Sequence, residues 1–169
     1  MSRIKHAIDP PFLKHWATRI GQLILNFTVL EFESYFWLVQ MSEQPDRIPE
    51  FTRLTYASRV KEIKRLVRRL AHSSEWENEA LAKWNESLDI AKLRNRITHN
   101  PLLFSWTSGI EKGEPDLIGI ADMKSRRPVE SSDGPLLPKA VITESINKAV
   151  NIATGLATLR NVWCEYQDK

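Results

Sequence analysis

Residues 13–41, LKHWATRIGQLILNFTVLEFESYFWLVQM, decide the fold. Leu13, Trp16, Ile20, Leu23, Phe27, Leu30, Ser34, Trp37 and Met41 recur at alternating steps of three and four. That is the period of one buried helix face, sustained as in helical bundles. Pro10 and Pro11 precede the run and Pro45 follows it. The spacing therefore predicts a helix from about Pro11 to Met41, a rod of roughly 45 Å. A second apolar set, Val29, Phe32, Phe36 and Val39, lies on another side of the same helix. A helix apolar on two sides is buried on two sides. Either another helix of the chain or a second copy in a homodimer covers that face.

The next helix is predicted over Leu54–Ala71, with Tyr56, Val60, Ile63, Val67 and Leu70 inside. The rest of its surface is basic: Arg53, Arg59, Lys61, Lys64, Arg65, Arg68 and Arg69 against Glu62 alone. Such a stripe is either a solvated face or a track for phosphates. A third helix starts near Ser74, where Ser74 and Glu77 have the spacing of a capping box. Leu81, Trp84, Leu88 and Ala91 point inward, and the stripe continues into Asn95 and then Thr98 or His99. Asn100-Pro101 stops it, because proline donates no backbone hydrogen bond and disfavours a helical residue before it.

After Pro101 the period shortens. Residues 102–107 and 117–121 read as strands around Gly109, Gly113 and Pro115, which predicts a β-hairpin. Residues 124–138, with three prolines and Ser131-Ser132-Asp133-Gly134, read as a loop. The last helix is expected over about Thr143–Tyr166, with Ile146, Ala149, Ala153, Leu156, Leu159, Trp163 and Tyr166 apolar. The reading is a single, mainly α domain over 1–169. It is an antiparallel four-helix bundle with a β-hairpin inserted between the third and fourth helices, the hairpin and loop spanning about 101–140.

Composition narrows the chemistry. With 169 residues and 42% apolar content, the chain can bury a core without disulfides or metal. Cys164 is the single cysteine, which fits a reducing cytoplasm and a packed rather than nucleophilic role. The first residues lead into no signal core. The most apolar stretch, Ile20–Val39, is broken by Asn26, Glu31 and Glu33, so no membrane span is expected. His6, His15, His72 and His99 lie in separate elements, so no metal site and no cofactor are expected. No Gly-rich phosphate loop or serine elbow occurs. Trp16, Trp37, Trp84 and Trp163 take core positions, which leaves Trp106 for base stacking.

Arg94-Asn95-Arg96-Ile97-Thr98-His99 gathers an arginine, an amide and an imidazole into two turns at a helix end. Asn95 and His99 share a face, and the long Arg94 side chain reaches the same point. Arg supplies fixed charge for a phosphate and His a proton near neutral pH, which together suit phosphodiester chemistry without a metal. The other reading is a solvated helix end, where basic side chains complement the dipole.

This six-residue run, at the end of a third helix, resembles the HEPN superfamily, helical bundles in which Arg is followed by four to six residues and His. Glu31, an acid within the apolar Leu30–Glu33 run, is similar to that family's first helix. As an architecture the resemblance covers most of the chain. It implies a metal-independent endoribonuclease, or a non-catalytic relative that binds RNA, nucleotide or a protein partner. It also implies a homodimer that brings two Arg/His sets into one cleft. By similarity His99 is the general acid or base, Arg94 holds the scissile phosphate and Asn95 orients them. Glu31 either pairs with Arg94, caps an internal polar network or lies at an exposed edge. Lys61, Lys64, Arg65, Arg68, Arg69 and Arg96 are the expected RNA contacts. The resemblance further implies a toxin–antitoxin or phage-defence setting, with an antitoxin or other protein as partner. One toxin branch carries Tyr two places after the His, where this chain has Pro101.

Overall fold

The computed structural model describes residues 10–42, 48–99, 102–105, 117–120 and 137–167. They are mainly helical: α1 (Pro10–Ser42), α2 (Ile48–Arg53), α3 (Tyr56–Leu70), α4 (Ser74–His99) and α5 (Lys139–Gln167). The inner seam of α1 is buried where the spacing puts it, through Trp16, Leu23, Phe27, Leu30, Ser34, Trp37 and Met41. The second apolar set is not. Val29, Phe32, Phe36 and Val39 are exposed, together with Leu25, so among the described residues no helix covers that face.

Side-chain contacts fix the direction of each helix. Asn26 donates to the Ile146 carbonyl and Trp37 to that of Leu156, so α1 and α5 run parallel. Trp76 donates to the Leu159 carbonyl while Glu86 pairs with Lys148, so α4 opposes α5. Phe27 meets Tyr56 and Ser34 meets Arg59, so α3 runs with α1. The bundle therefore departs from the expected antiparallel alternation: α4 alone opposes the other three long helices. The three-residue turn at 71–73 forces α3 and α4 antiparallel, as short connections do. The connection from α1 to α3 is long and contains α2, so the chain returns before α3 starts. Sequence periodicity missed α2 because six residues hold less than two turns. Its signals are Pro49 and Glu50 in the first turn and the buried Phe51.

At one end the core is held by tryptophans. Trp37 stacks on Trp76 at 5.7 Å and meets the edge of Trp84 at 5.6 Å. Trp163 donates to the Leu70 carbonyl and ties α5 to the end of α3. The indole N–H groups of Trp37, Trp76 and Trp163 each donate to a carbonyl, whereas that of Trp84 is buried without a partner among the described residues.

The cap of α4 is Ser73, not Ser74. The Ser73 hydroxyl accepts from the Trp76 amide at 3.2 Å, and its carbonyl accepts from Glu77. Ser73→Ala is therefore expected to cost about 1 kcal/mol in urea unfolding, and Ser74→Ala less than ~0.5 kcal/mol. Equal losses at the two positions would contradict this cap.

Three short strands, β1 (Leu102–Ser105), β2 (Leu117–Ile120) and β3 (Leu137–Pro138), lie antiparallel in that order. The turn expected between the first two, and Trp106 with it, falls outside the described residues, as does most of the 124–138 loop. The last helix begins at Lys139, four residues before the expected Thr143, directly after Pro138. Thr143 there bonds back to the Lys139 carbonyl.

Candidate functional site

The inward face of α4 runs through Trp84, Ser87, Ile90 and Ala91 to Ile97, all buried. From Ala91 a step of three reaches Arg94 and a step of four reaches Asn95. The structure takes the step of three. Arg94 is half-buried on the inner face, whereas Asn95, Thr98 and His99 are exposed. The expectation that Asn95 and then Thr98 or His99 continue the apolar stripe is therefore corrected. The flanking Leu81 and Leu88 are half-buried edge positions, so the true centre of the face lies one residue round.

Arg94 is fixed from two sides. Its guanidinium lies over the Phe27 ring of α1, 5.2 Å from the centroid. One guanidinium nitrogen donates to Asn95 Oδ1 at 2.9 Å. Its Nε is buried and has no partner among the described residues. Thr98 donates to the Arg94 carbonyl at 3.0 Å, which helps close the last turn. His99 stands one turn beyond Asn95 on the same exposed face. The arrangement is a fixed cation anchored on an aromatic ring, an amide that orients it, and a solvent-accessible imidazole at the helix end.

Glu31 is not part of this group. Its carboxylate pairs with Arg59 at 3.4 Å. Arg59, expected on the basic surface, is buried: its guanidinium donates to Ser34 at 2.8 Å and to the Leu54 carbonyl at 2.7 Å. It lies 4.1 Å from the Tyr35 ring centroid. Glu31 and Ser34, one helical turn apart on α1, offer oxygen acceptors there, and that draws the arginine inward. Burial pushes the Tyr56 phenol well above its ordinary range, against smaller opposing pulls from Ser87 and Arg59. The Phe27 ring meets Tyr56 edge-on and also carries the Arg94 guanidinium. Phe27 and Tyr56 thus link the two arginines, a role that helical spacing does not separate from ordinary core packing.

The remaining cations of α3 form two groups. Lys64 donates to Asn85 at 2.6 Å, and Arg65 is held by both oxygens of Glu62, which raises its pKa. Lys61, Arg68 and Arg69 are exposed. Lys61, Arg65 and Arg68 line a groove of about 610 Å³ with Glu50, Glu62 and Phe51. Lys64 is level with Asn85, roughly 14 Å along α4 from Arg94 at 1.5 Å per residue, and the groove lining includes none of Arg94, Asn95 and His99. The structure therefore does not gather the basic stripe and the Arg94–His99 group into one pocket. Arg96 is exposed on the last turn of α4.

Among the described residues no group of three or more His, Cys, Asp or Glu could hold a metal ion. No described helix is long and apolar enough to cross a membrane. Compared with known proteins, the chain matches no family model, no curated protein and no solved structure.

Proposed function

We propose that the chain is a metal-independent endoribonuclease of HEPN type, working from Arg94, Asn95 and His99 as a homodimer in the cytoplasm. The observation that supports it is the fixing of Arg94 by Phe27 and Asn95, with His99 open to solvent on the Asn95 face. In this reading His99 takes the proton of an RNA 2′-hydroxyl. The 2′-oxygen attacks the adjacent phosphorus, the bond to the 5′-oxygen breaks, and that oxygen takes a proton from solvent. Arg94 stabilises the charge that develops on the phosphate oxygens. A toxin or phage-defence role, with an antitoxin or other protein partner, is part of the same proposal.

The test is a digest of single-stranded RNA with purified protein in excess EDTA. The expected result is cleavage that chelator does not change, with 2′,3′-cyclic phosphate ends. No cleavage, or cleavage lost with EDTA, overturns the enzyme. One observation favours a second reading, a non-catalytic module that binds RNA, nucleotide or protein: the groove lined by Lys61, Arg65 and Arg68 contains neither Arg94 nor His99.

RNA contact by α3 carries its own expectation. Binding at Lys61, Arg68 and Arg69 makes affinity fall steeply with salt, by about one unit of log slope per phosphate contact. Arg68→Glu with Arg69→Glu is expected to weaken binding to all sequences alike and to flatten that slope. Filter binding at several salt concentrations that finds neither change leaves α3 as a solvated face.

A further inference from the structure

The outer face of α1 carries a second seam. Leu25, Val29, Phe32, Phe36 and Val39 step by four, three, four and three, the spacing of knobs in a coiled coil. They are 68, 48, 58, 49 and 36% exposed. Between Ile20 and Ser42 the charged residues are Glu31 and Glu33 alone, and each is held by an arginine, Arg59 and Arg160. Arg160 also lies over the Phe36 ring, 5.1 Å from its centroid. Pairing along this face therefore strips water from no unpaired charge on α1, as the core of an interface requires.

The seam matches itself when reversed. Leu25 and Val39 lie seven residues to either side of Phe32, and Val29 and Phe36 lie three and four. Two antiparallel copies crossing at Phe32 would set Leu25 against the partner's Val39 and Val29 against the partner's Phe36. A surface complementary to itself under a two-fold axis selects a second copy of the chain over an unlike partner. The five side chains expose on the order of 500 Å² per copy, so the pair buries about 1,000 Å², where specific interfaces begin.

We propose that the protein dimerises by antiparallel pairing of α1, with the two-fold axis at Phe32. This rests on the homodimer of the reading above and not on its chemistry. It also changes the geometry of that homodimer. Arg94 reaches α1 at Phe27, on the face opposite the seam. The two Arg94–His99 groups then lie behind their own α1 helices, and each copy works as a separate site.

The test combines light scattering with site-directed crosslinking. Wild-type protein is expected to be dimeric at about 10 μM. Phe32→Glu brings two carboxylates together at the axis and is expected to raise the dissociation constant at least ~100-fold, with helical circular dichroism retained. In a Cys164→Ser background, Phe32→Cys is expected to crosslink to itself with a short bismaleimide. Leu25→Cys is expected to crosslink only when mixed with Val39→Cys. A wild-type monomer at ~100 μM, a dimer that survives Phe32→Glu, or Phe32→Cys that does not self-link overturns the seam. Should Phe32→Glu fail to fold, the crosslinks decide. RNA cleavage is read on the same samples: a cleaving monomer sinks the seam and the homodimer but leaves the chemistry, and a seam-linked dimer that cuts no RNA sinks the chemistry alone.

Discussion

His99→Ala is expected to reduce RNA cleavage by about 10²–10⁴-fold while leaving the melting temperature almost unchanged. The loss follows from removing the proton acceptor. The unchanged fold follows from position, since His99 is exposed at the end of α4 and contributes to stability chiefly through the helix dipole, about 0.3–1 kcal/mol. Arg94→Ala is expected to be as severe for cleavage, and Arg94→Lys to recover little. A lysine carries the charge but not the planar fork that rests on Phe27 while bonding Asn95. Arg94→Ala should also cost stability, because it empties a half-buried place beside Phe27. Glu31→Gln separates the site from its surroundings: with Glu31 bound to Arg59, cleavage is expected to stay near wild type. Activity assays and thermal melts on the same four variants check the set. A His99→Ala protein that cuts as fast as wild type removes His99 from the reaction.

The rod of α1 was legible because eight alternating steps of three and four leave one solution, a helix with one buried face. The same rule says nothing about what covers a second face, and there the structure leaves Phe32 and Phe36 open. At the end of α4 the pattern met its own resolution. Steps of three and four from Ala91 are both helical, and only packing against Phe27 decides that Arg94 goes in and Asn95 out. Arg59 was illegible for a different reason. By composition it belongs to a basic face, and its acceptors, Glu31, Ser34 and the Leu54 carbonyl, come from two other segments brought together by the parallel run of α1 and α3. That parallel run depends on a long connection, which periodicity does not read. Glu33 and Arg160 are a second such case, a pair far apart in sequence that the parallel α1 and α5 bring to 3.1 Å.

Replacing Arg59 is expected to have the largest effect on stability. The side chain is 3% exposed and makes three polar contacts, with Ser34, Glu31 and the Leu54 carbonyl, while lying over Tyr35. Arg59→Leu keeps apolar bulk but leaves a carbonyl, a hydroxyl and a partly buried carboxylate without their donor. Breaking a buried pair by removing one partner costs about 3–5 kcal/mol. Glu31 retains some water, its side chain being 34% exposed, so the lower end, about 3 kcal/mol, is the expected loss. For a domain of this size that lowers the melting temperature by roughly 10 °C. Arg59→Lys is expected to recover less than half, because one ammonium does not reach three acceptors from a single position. Glu31→Gln alone should cost under about 1 kcal/mol, since an amide oxygen still accepts from Arg59 and the half-exposed charge gains little from pairing. The ordering Arg59→Leu, then Arg59→Lys, then Glu31→Gln in urea unfolding is the signature of a buried cation that joins α1 to α3. If Arg59→Leu and Glu31→Gln cost the same, the ion pair alone would be the relevant contact, and the bonds to Ser34 and Leu54 would contribute nothing.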